Sequence, residues 1–350
     1  METKIIKAQN INDLSGILGP AGRIIREGGL VVFPTETVYG LGADATNPDA
    51  TAKIYKAKGR PSDNPLIVHI ADPKDADKYA FTNSTYYFLA ERFMPGPLTI
   101  IMKSRDSVPR TTRGGLDTVA VRCPENFIAR ELIRLSGVAV AAPSANLSGS
   151  PSPTTYEYAY SDMNGRVDAI IDGGDCEFGL ESTIVKINED GSLDLLRPGK
   201  ITAEELESLG IRVSVAAAVT DELKAGEIAI SPGMKYKHYA PKAPLILLDG
   251  TKEQVSAYIT SRSDTDANIA VIAYTDDVEY IKNSINYVDV YEFGDRSDEA
   301  EQAHLLFKLL RDTDKKDYKV IYAPLPEKKG IGLALYNRMI RAAAHNIIRL

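Results

Sequence analysis

Along the chain, short apolar runs with the brevity of strands alternate with stretches whose apolar positions recur at helical spacing. Residues 5–7 predict a short edge strand, and residues 13–27 a helix. Asp13 or Asn12 would cap that helix, and Leu14, Ile17, Leu18, Ile24 and Ile25 form its apolar side. Residues 30–33 predict a buried strand that runs straight into the polar end Pro34-Thr35-Glu36-Thr37. A helix ending over residues 52–58, a turn at Gly59-Arg60-Pro61, a polar loop at 62–65 and a β-branched strand at 66–70 come next. Residues 72–80 and 83–94 predict helices, and Pro95-Gly96-Pro97 breaks the second before a strand at 98–102. A basic, turn-rich loop covers residues 103–115. The alternation of 116–122 then predicts a strand with Thr118 and Arg122 on one face. The wholly apolar segment 138–142 predicts a central strand ending in Pro143-Ser144-Ala145-Asn146, and residues 182–187 and 193–196 pair as a hairpin.

From about residue 215 to 241 the texture changes. The segment from Ser231 to Pro241 has no element period and carries Lys235, Tyr236, Lys237, His238 and Tyr239. Beyond it, strands are predicted near residues 245–248, 269–274, 287–291 and 320–323. Helices are predicted near 253–261, 278–284, 299–313 and 333–348. That alternation predicts a small, mostly parallel, Rossmann-like α/β domain, without the GxGxxG turn of a dinucleotide binder. The expected organisation is therefore residues 1–214 as the catalytic domain, 215–243 as a linker and 244–350 as the second domain.

Composition narrows the class. With 44% apolar and 25% charged residues the chain is globular, and a net charge of −7 argues against non-specific binding of nucleic acid or anionic membrane by the whole surface. Cys123 and Cys176 are too few for a disulfide framework and are expected as buried thiols in a reducing compartment. No run approaches the roughly 20 apolar residues of a membrane span, and the N-terminus lacks a signal-peptide core. A soluble, cytoplasmic protein is expected.

No Walker loop, HExxH, GxSxG or CxxC is present. What recurs instead is a set of hydroxyls, amides and cations at strand ends, suited to clamping phosphate and carboxylate groups. Taken singly, each has a simpler role: Lys58 and Arg60 at a helix exit suit the negative helix terminus, and Thr35 suits a turn. Taken jointly, they suit nucleotidyl transfer, which needs charge neutralisation around phosphorus and an aligned nucleophile.

Lys58 and Arg60 followed by Ser144 and Asn146 resemble the KxR…SxN signature of the YrdC/Sua-type family, the L-threonylcarbamoyladenylate synthases. PTETVYGLG, KGRPSDNPL, PGPLT, APSAN and ESTIV resemble further blocks of that family, in order, across roughly residues 10–210. The linker and second domain resemble its longer, two-domain form. The resemblance implies an N-terminal twisted open α/β sheet with a basic concave cleft. It also implies the reaction of L-threonine, bicarbonate and ATP, with Mg2+, to threonylcarbamoyl-AMP and pyrophosphate. Downstream threonylcarbamoyl-transferase machinery would pass the group to adenosine beside the tRNA anticodon; direct tRNA contact is left open, and no membrane is involved.

On this resemblance Lys58, Arg60, Ser144 and Asn146 are catalytic. Ser62, Asn64, Thr118, Ala142, Ser152 and Arg197 join them in holding ATP, with Lys235, Tyr236 and His238 folding over it as a lid. Thr35, His69, Arg122 and Ser182 hold threonine. Two alternatives stand beside this assignment: a carbamoyl-adenylating domain of the hydrogenase-maturation type, and a non-catalytic RNA-binding factor.

Overall fold

The computed structural model describes residues 2–8, 13–221, 239–262 and 268–350. The chain divides into two compact units, Met1–Ser148 with Ser152–Lys235 and Gly149–Pro151 with Tyr236–Leu350.

The first unit is built on an 11-stranded mixed sheet. From one edge its order is β1 (Lys4–Lys7), β8 (Ala169–Asp172), β2 (Val31–Phe33), β3 (Gly40–Asp44), β7 (Val140–Ala141) and β4 (Ile67–His69). It continues through β6 (Thr118–Arg122), β5 (Leu98–Lys103), β9 (Thr183–Ile187), β10 (Leu193–Arg197) and β11 (Val213–Val215). As expected, residues 5–7 lie at an edge, the apolar 138–142 segment is central, and the β9–β10 hairpin is antiparallel. Helices α1 (Leu14–Arg26) and α4 (Phe127–Ser136) cover the β1–β8–β2 end, burying Leu18, Ile25, Leu132 and Ile133 against Val31, Phe33 and Ile171. The two helices approach closely at Gly22, where a Cβ would stand 2.9 Å from the Leu135 backbone. The glycine that weakens the helix locally is thus what lets it pack.

Three local expectations are corrected. The pattern predicts no strand after the polar end Pro34–Thr37, but residues 40–44 form β3, antiparallel to both β2 and β7. Asp13 occupies the cap position of α1 without a side-chain capping bond. The expected helix at 72–80 is a tighter 3-10 turn, Pro73–Lys78, opened by the Asp72 side chain accepting from the Lys74 amide.

Helix α2 (Pro48–Lys58) has the boundaries that matter for function. The Asn47 side chain accepts from the Asp49 and Ala50 amides, Pro48 opens the first turn, and Gly59 at φ 63° closes the last. That ending makes Lys58 the last helical residue and sends Arg60 into the following loop.

The second unit carries a five-stranded sheet, ordered β14 (Val288–Glu292), β13 (Ile269–Ala273), β15 (Val320–Pro324), β12 (Leu245–Asp249) and β16 (Ile347–Arg349). Every pairing in it is parallel. Helices α7 (Lys252–Arg262), α8 (Thr275–Ser284), α9 (Glu299–Thr313) and α10 (Gly332–Ala342) connect the strands, a Rossmann-like α/β arrangement as expected. The predicted helix 333–348 is too long. The chain leaves α10 through positive φ at Ala344 and His345, and Ile347 and Ile348 become strand residues beside β12. Among the described residues no helix is long and apolar enough to cross a membrane.

Candidate active site

Two groups of polar side chains border opposite ends of β4. At its N-terminal end, β7 leaves the sheet next to it, with the Ala142 amide donating to the Ile67 carbonyl at 2.9 Å. The chain continues past Ala142, which is buried, into Ser144 and Asn146. There the Lys58 ammonium, on a side chain that is 3% exposed, donates to the Ser144 carbonyl at 2.5 Å, the Asn146 carbonyl at 2.6 Å and Asn146 Oδ1 at 3.3 Å. Ser144 Oγ donates to Asn146 Oδ1 at 2.5 Å, and the Ser148 amide donates to the Lys58 carbonyl at 2.9 Å. The helix exit and the strand exit, 86 residues apart in sequence, therefore face each other and are bolted through one ammonium group.

Arg60 turns back on its own loop, donating to the carbonyls of Asn64 at 3.4 Å and Pro65 at 3.3 Å. Ser62 is exposed on that loop, whereas Asn64 is 1% exposed, and neither its Nδ2 nor its Oδ1 has a hydrogen-bond partner among the described residues. Thr118 opens β6, half-buried.

At the other end of β4 the strand register sets His69 beside Arg122 and Arg122 beside Thr99. Arg122 is buried and spoken for within the protein. Its Nη2 meets the Glu36 carboxylate at 2.6 Å and the Thr37 hydroxyl at 3.0 Å. The burial of Glu36 alone would raise its pKa, but the charge and hydrogen bond of Arg122, with backbone donors, outweigh this and hold it below the usual carboxylate range. Burial and the neighbouring Arg122 charge push the His69 pKa down to about 3, so its ring is neutral near pH 7. Thr35 donates to the Val38 carbonyl at 2.7 Å and lies 2.9 Å from the Thr37 hydroxyl, so it shapes the turn that carries Glu36. The simple turn role considered for Thr35 is therefore real.

Ser182, fully buried, precedes β9; its hydroxyl lies 2.8 Å from that of Thr99 and accepts from Arg197 Nη2 at 3.1 Å. Arg197 Nε donates to the Ser182 carbonyl at 3.0 Å. Ser152 is buried and donates to the Glu181 carboxylate at 2.5 Å. The structure thus gathers His69, Arg122 and Ser182 into one row and Lys58, Ser144 and Asn146 into one knot. Lys235, Tyr236 and His238 lie outside the described residues.

Sequence reasoning assigned no role to Glu36, Thr37, Thr99 or Glu181. Of these, Glu36 carried a signal, an acid between two threonines at a strand's end. Cys123 and Cys176 are buried and free, with burial pushing the Cys123 thiol up to about 12 and Cys176 higher still, so neither supplies a thiolate.

Known proteins share this architecture. Residues 23–199 match the Sua5/YciO/YrdC family model, described as "Telomere recombination", and residues 201–344 match the "Threonylcarbamoyl-AMP synthase, C-terminal domain". A threonylcarbamoyl-AMP synthase of Pyrococcus abyssi (strain GE5 / Orsay) is 42% identical over 335 residues, 94% of this chain and 95% of its own. One from Bacillus subtilis (strain 168) is 42% identical over 335 residues, covering 95% and 94%. The crystal structure of P. abyssi Sua5 complexed with L-threonine superposes with a TM-score of 0.89 at 40% identity, covering 99% of this chain and 100% of that one. With both family domains matched in order and near-complete coverage of these relatives, the chain belongs to the threonylcarbamoyl-AMP synthase family, in its two-domain form.

Proposed function

We propose that the chain makes L-threonylcarbamoyl-AMP and pyrophosphate from L-threonine, bicarbonate and ATP, with the two groups bordering β4 as the two halves of its site. The threonine amine and bicarbonate give a carbamate and water. A carbamate oxygen then attacks the α-phosphorus, and pyrophosphate leaves with the bonding electron pair. No protein nucleophile is required, and the chain's work is positioning and charge stabilisation. What carries the reading is the Lys58 ammonium held among Ser144 and Asn146 at one end of a three-residue strand, with the His69–Arg122 row at the other. At roughly 3.3 Å per residue the strand spans about 10 Å, a distance that one amino acid joined to a phosphate bridges.

In this reading Lys58, Ser144 and Asn146 serve the α-phosphate, and Arg60, Ser62 and Asn64 the outer phosphates. Thr118, Ala142, Ser152 and Arg197 line the nucleotide. Arg122 takes the threonine carboxylate while keeping Glu36, and neutral His69 with Thr35 and Ser182 orients the amine and hydroxyl. Lys235, Tyr236 and His238 act as a cover that protects the carbamate from water. Among the described residues no three His, Cys, Asp or Glu side chains gather as metal ligands. The oxygens that Ser144 and Asn146 set around Lys58 are carbonyl and amide oxygens, with the Ser144 hydroxyl on the Asn146 amide, and these do not make a resident magnesium site. Magnesium accordingly enters on the ATP phosphates, as part of the substrate. Downstream, a transferase consumes the activated carbamoyl group for adenosine in tRNA.

The test is pyrophosphate release from ATP with threonine and bicarbonate, omitting each in turn. The wild-type chain should depend on all three, and Lys58→Ala should lose activity by orders of magnitude while keeping a folded far-UV spectrum. Release that ignores threonine, or a Lys58→Ala rate near wild type, would overturn the assignment.

A further inference from the structure

The basic loop between β5 and β6 holds a cation that none of the roles above uses. Arg113 is 9% exposed; its Nη1 donates to the Leu116 carbonyl at 2.9 Å, and its Nε is buried with no hydrogen-bond partner among the described residues. Among the described residues no carboxylate pairs with it. A guanidinium withdrawn from water without a counter-charge is electrostatically costly, and such groups are normally paired or bound to an anion.

A second, separate orphan lies on the loop packed against the loop of Arg113. The loop of Arg113 is locked to the loop of Asn64 through backbone groups. The Leu66 amide donates to the Thr112 carbonyl at 3.0 Å, and the Tyr55 hydroxyl lies 3.1 Å from the carbonyls of both Asn64 and Thr111. At Gly114, with φ +59°, a Cβ would stand 2.9 Å from the Pro65 nitrogen. Only a residue without a side chain brings the two loops this close. Against this tight packing, the buried Asn64 amide has both polar atoms without a partner among the described residues. Two neighbouring loops thus each withhold hydrogen-bond donors, one of them on a full positive charge.

We propose that Arg113 and Asn64 together bind a phosphate-type anion, and that Arg113 is a further cation for the part of ATP that departs as pyrophosphate. This rests on the reaction proposed above, and gives it a residue that recognises the leaving group rather than the α-phosphorus. Arg113 Nε and Asn64 Nδ2 are donors that phosphate oxygens accept, and a bound anion removes the cost of the buried charge.

The experiment uses the full chain and inorganic pyrophosphate as the probe, followed by ATP, in titration calorimetry. Arg113→Gln should weaken pyrophosphate and ATP by about tenfold or more, Arg113→Lys by less, and threonine binding should stay within about twofold in both. Pyrophosphate binding Arg113→Gln within twofold of wild type overturns the proposal, as does wild type that binds no pyrophosphate. Should Arg113→Gln fail to fold, the Arg113 Nε–H NMR resonance of the wild-type chain decides. It must shift on adding pyrophosphate, and a resonance unmoved at saturation overturns the inference. Pyrophosphate that binds through Arg113 in a chain showing no threonine-dependent release would sink the reaction and leave the anion site standing.

Discussion

Glu36 and Arg122 form an ion pair at 2.6 Å, with their side chains only 6% and 5% exposed. The arginine proposed to receive the threonine carboxylate therefore already has a partner supplied by the turn after β2. A buried pair gains little over an apolar one, but removing one member leaves the other charged in a dry place, at a cost of about 3–5 kcal/mol. What the pair secures is position, since Arg122 is held by Glu36 and Thr37 within a sheet row that also contains His69.

Glu36→Gln should consequently destabilise the chain by about 3 kcal/mol at neutral pH, measured by urea unfolding. Because the folded-state pKa of Glu36 lies below its ordinary value of 4.5, its contribution is present above that value and is lost as pH falls through the folded-state pKa. Wild type should lose stability on acidification below about pH 4.5, and Glu36→Gln should show a shallower loss there. Identical acid profiles for the two proteins would refute a charged Glu36 in the fold.

His69 makes a prediction in a different pH window. Its pKa is lowered from 6.5 to about 3 by burial and by Arg122, so the folded chain favours the neutral ring. The stability this gives is complete above pH 6.5 and declines as pH falls toward 3. His69→Gln should remove that part of the pH dependence. In wild type the ring should show no NMR titration between pH 5 and about 8, held with Nδ1 3.1 Å from the Ile67 carbonyl. A titration midpoint near 6.5 would contradict the buried, neutral histidine.

The elements legible in the sequence are those whose burial imposes a period. The buried β2 and central β7 read directly from apolar runs, and the β9–β10 hairpin from the turn between its strands. β3 escaped because Gly40 and Gly42 give a strand with almost no apolar signal of its own. For the site, residue types at strand ends pointed to anion chemistry, but partners did not. Lys58 is held by the main-chain carbonyls of Ser144 and Asn146, which no side-chain pattern reveals. Glu36 looked like one more polar turn residue until the register of β4, β6 and β5 placed Arg122 within its reach. Arg113 was one basic residue among several in a loop, distinguished only by its burial.

One glycine of β3 and one of α1 give the last prediction, because the same substitution should have unequal effects at the two sites. At Gly42 a Cβ would come within 2.7 Å of the Phe33 ring and 2.8 Å of Val140 Cγ1, closer than real contacts allow. Phe33 and Val140 are both fully buried in strands flanking β3, so neither can withdraw without disturbing the sheet. Gly42→Ala should therefore destabilise by about 1–3 kcal/mol and, through Phe33, which packs edge-on to His69 at 6.4 Å between ring centroids, weaken threonine binding. Gly19, inside α1, has nothing within 4 Å of the added atom beyond its own helix and chain neighbours, but it precedes Pro20, whose ring disfavours helical backbone at a residue with a Cβ and offsets the entropy gained, so Gly19→Ala should stay within about 0.5 kcal/mol of wild type. Parallel urea titrations with a threonine-binding assay test both. A neutral Gly42→Ala would mean that the β2–β3–β7 packing is looser than these distances require, and that the threonine row does not depend on it.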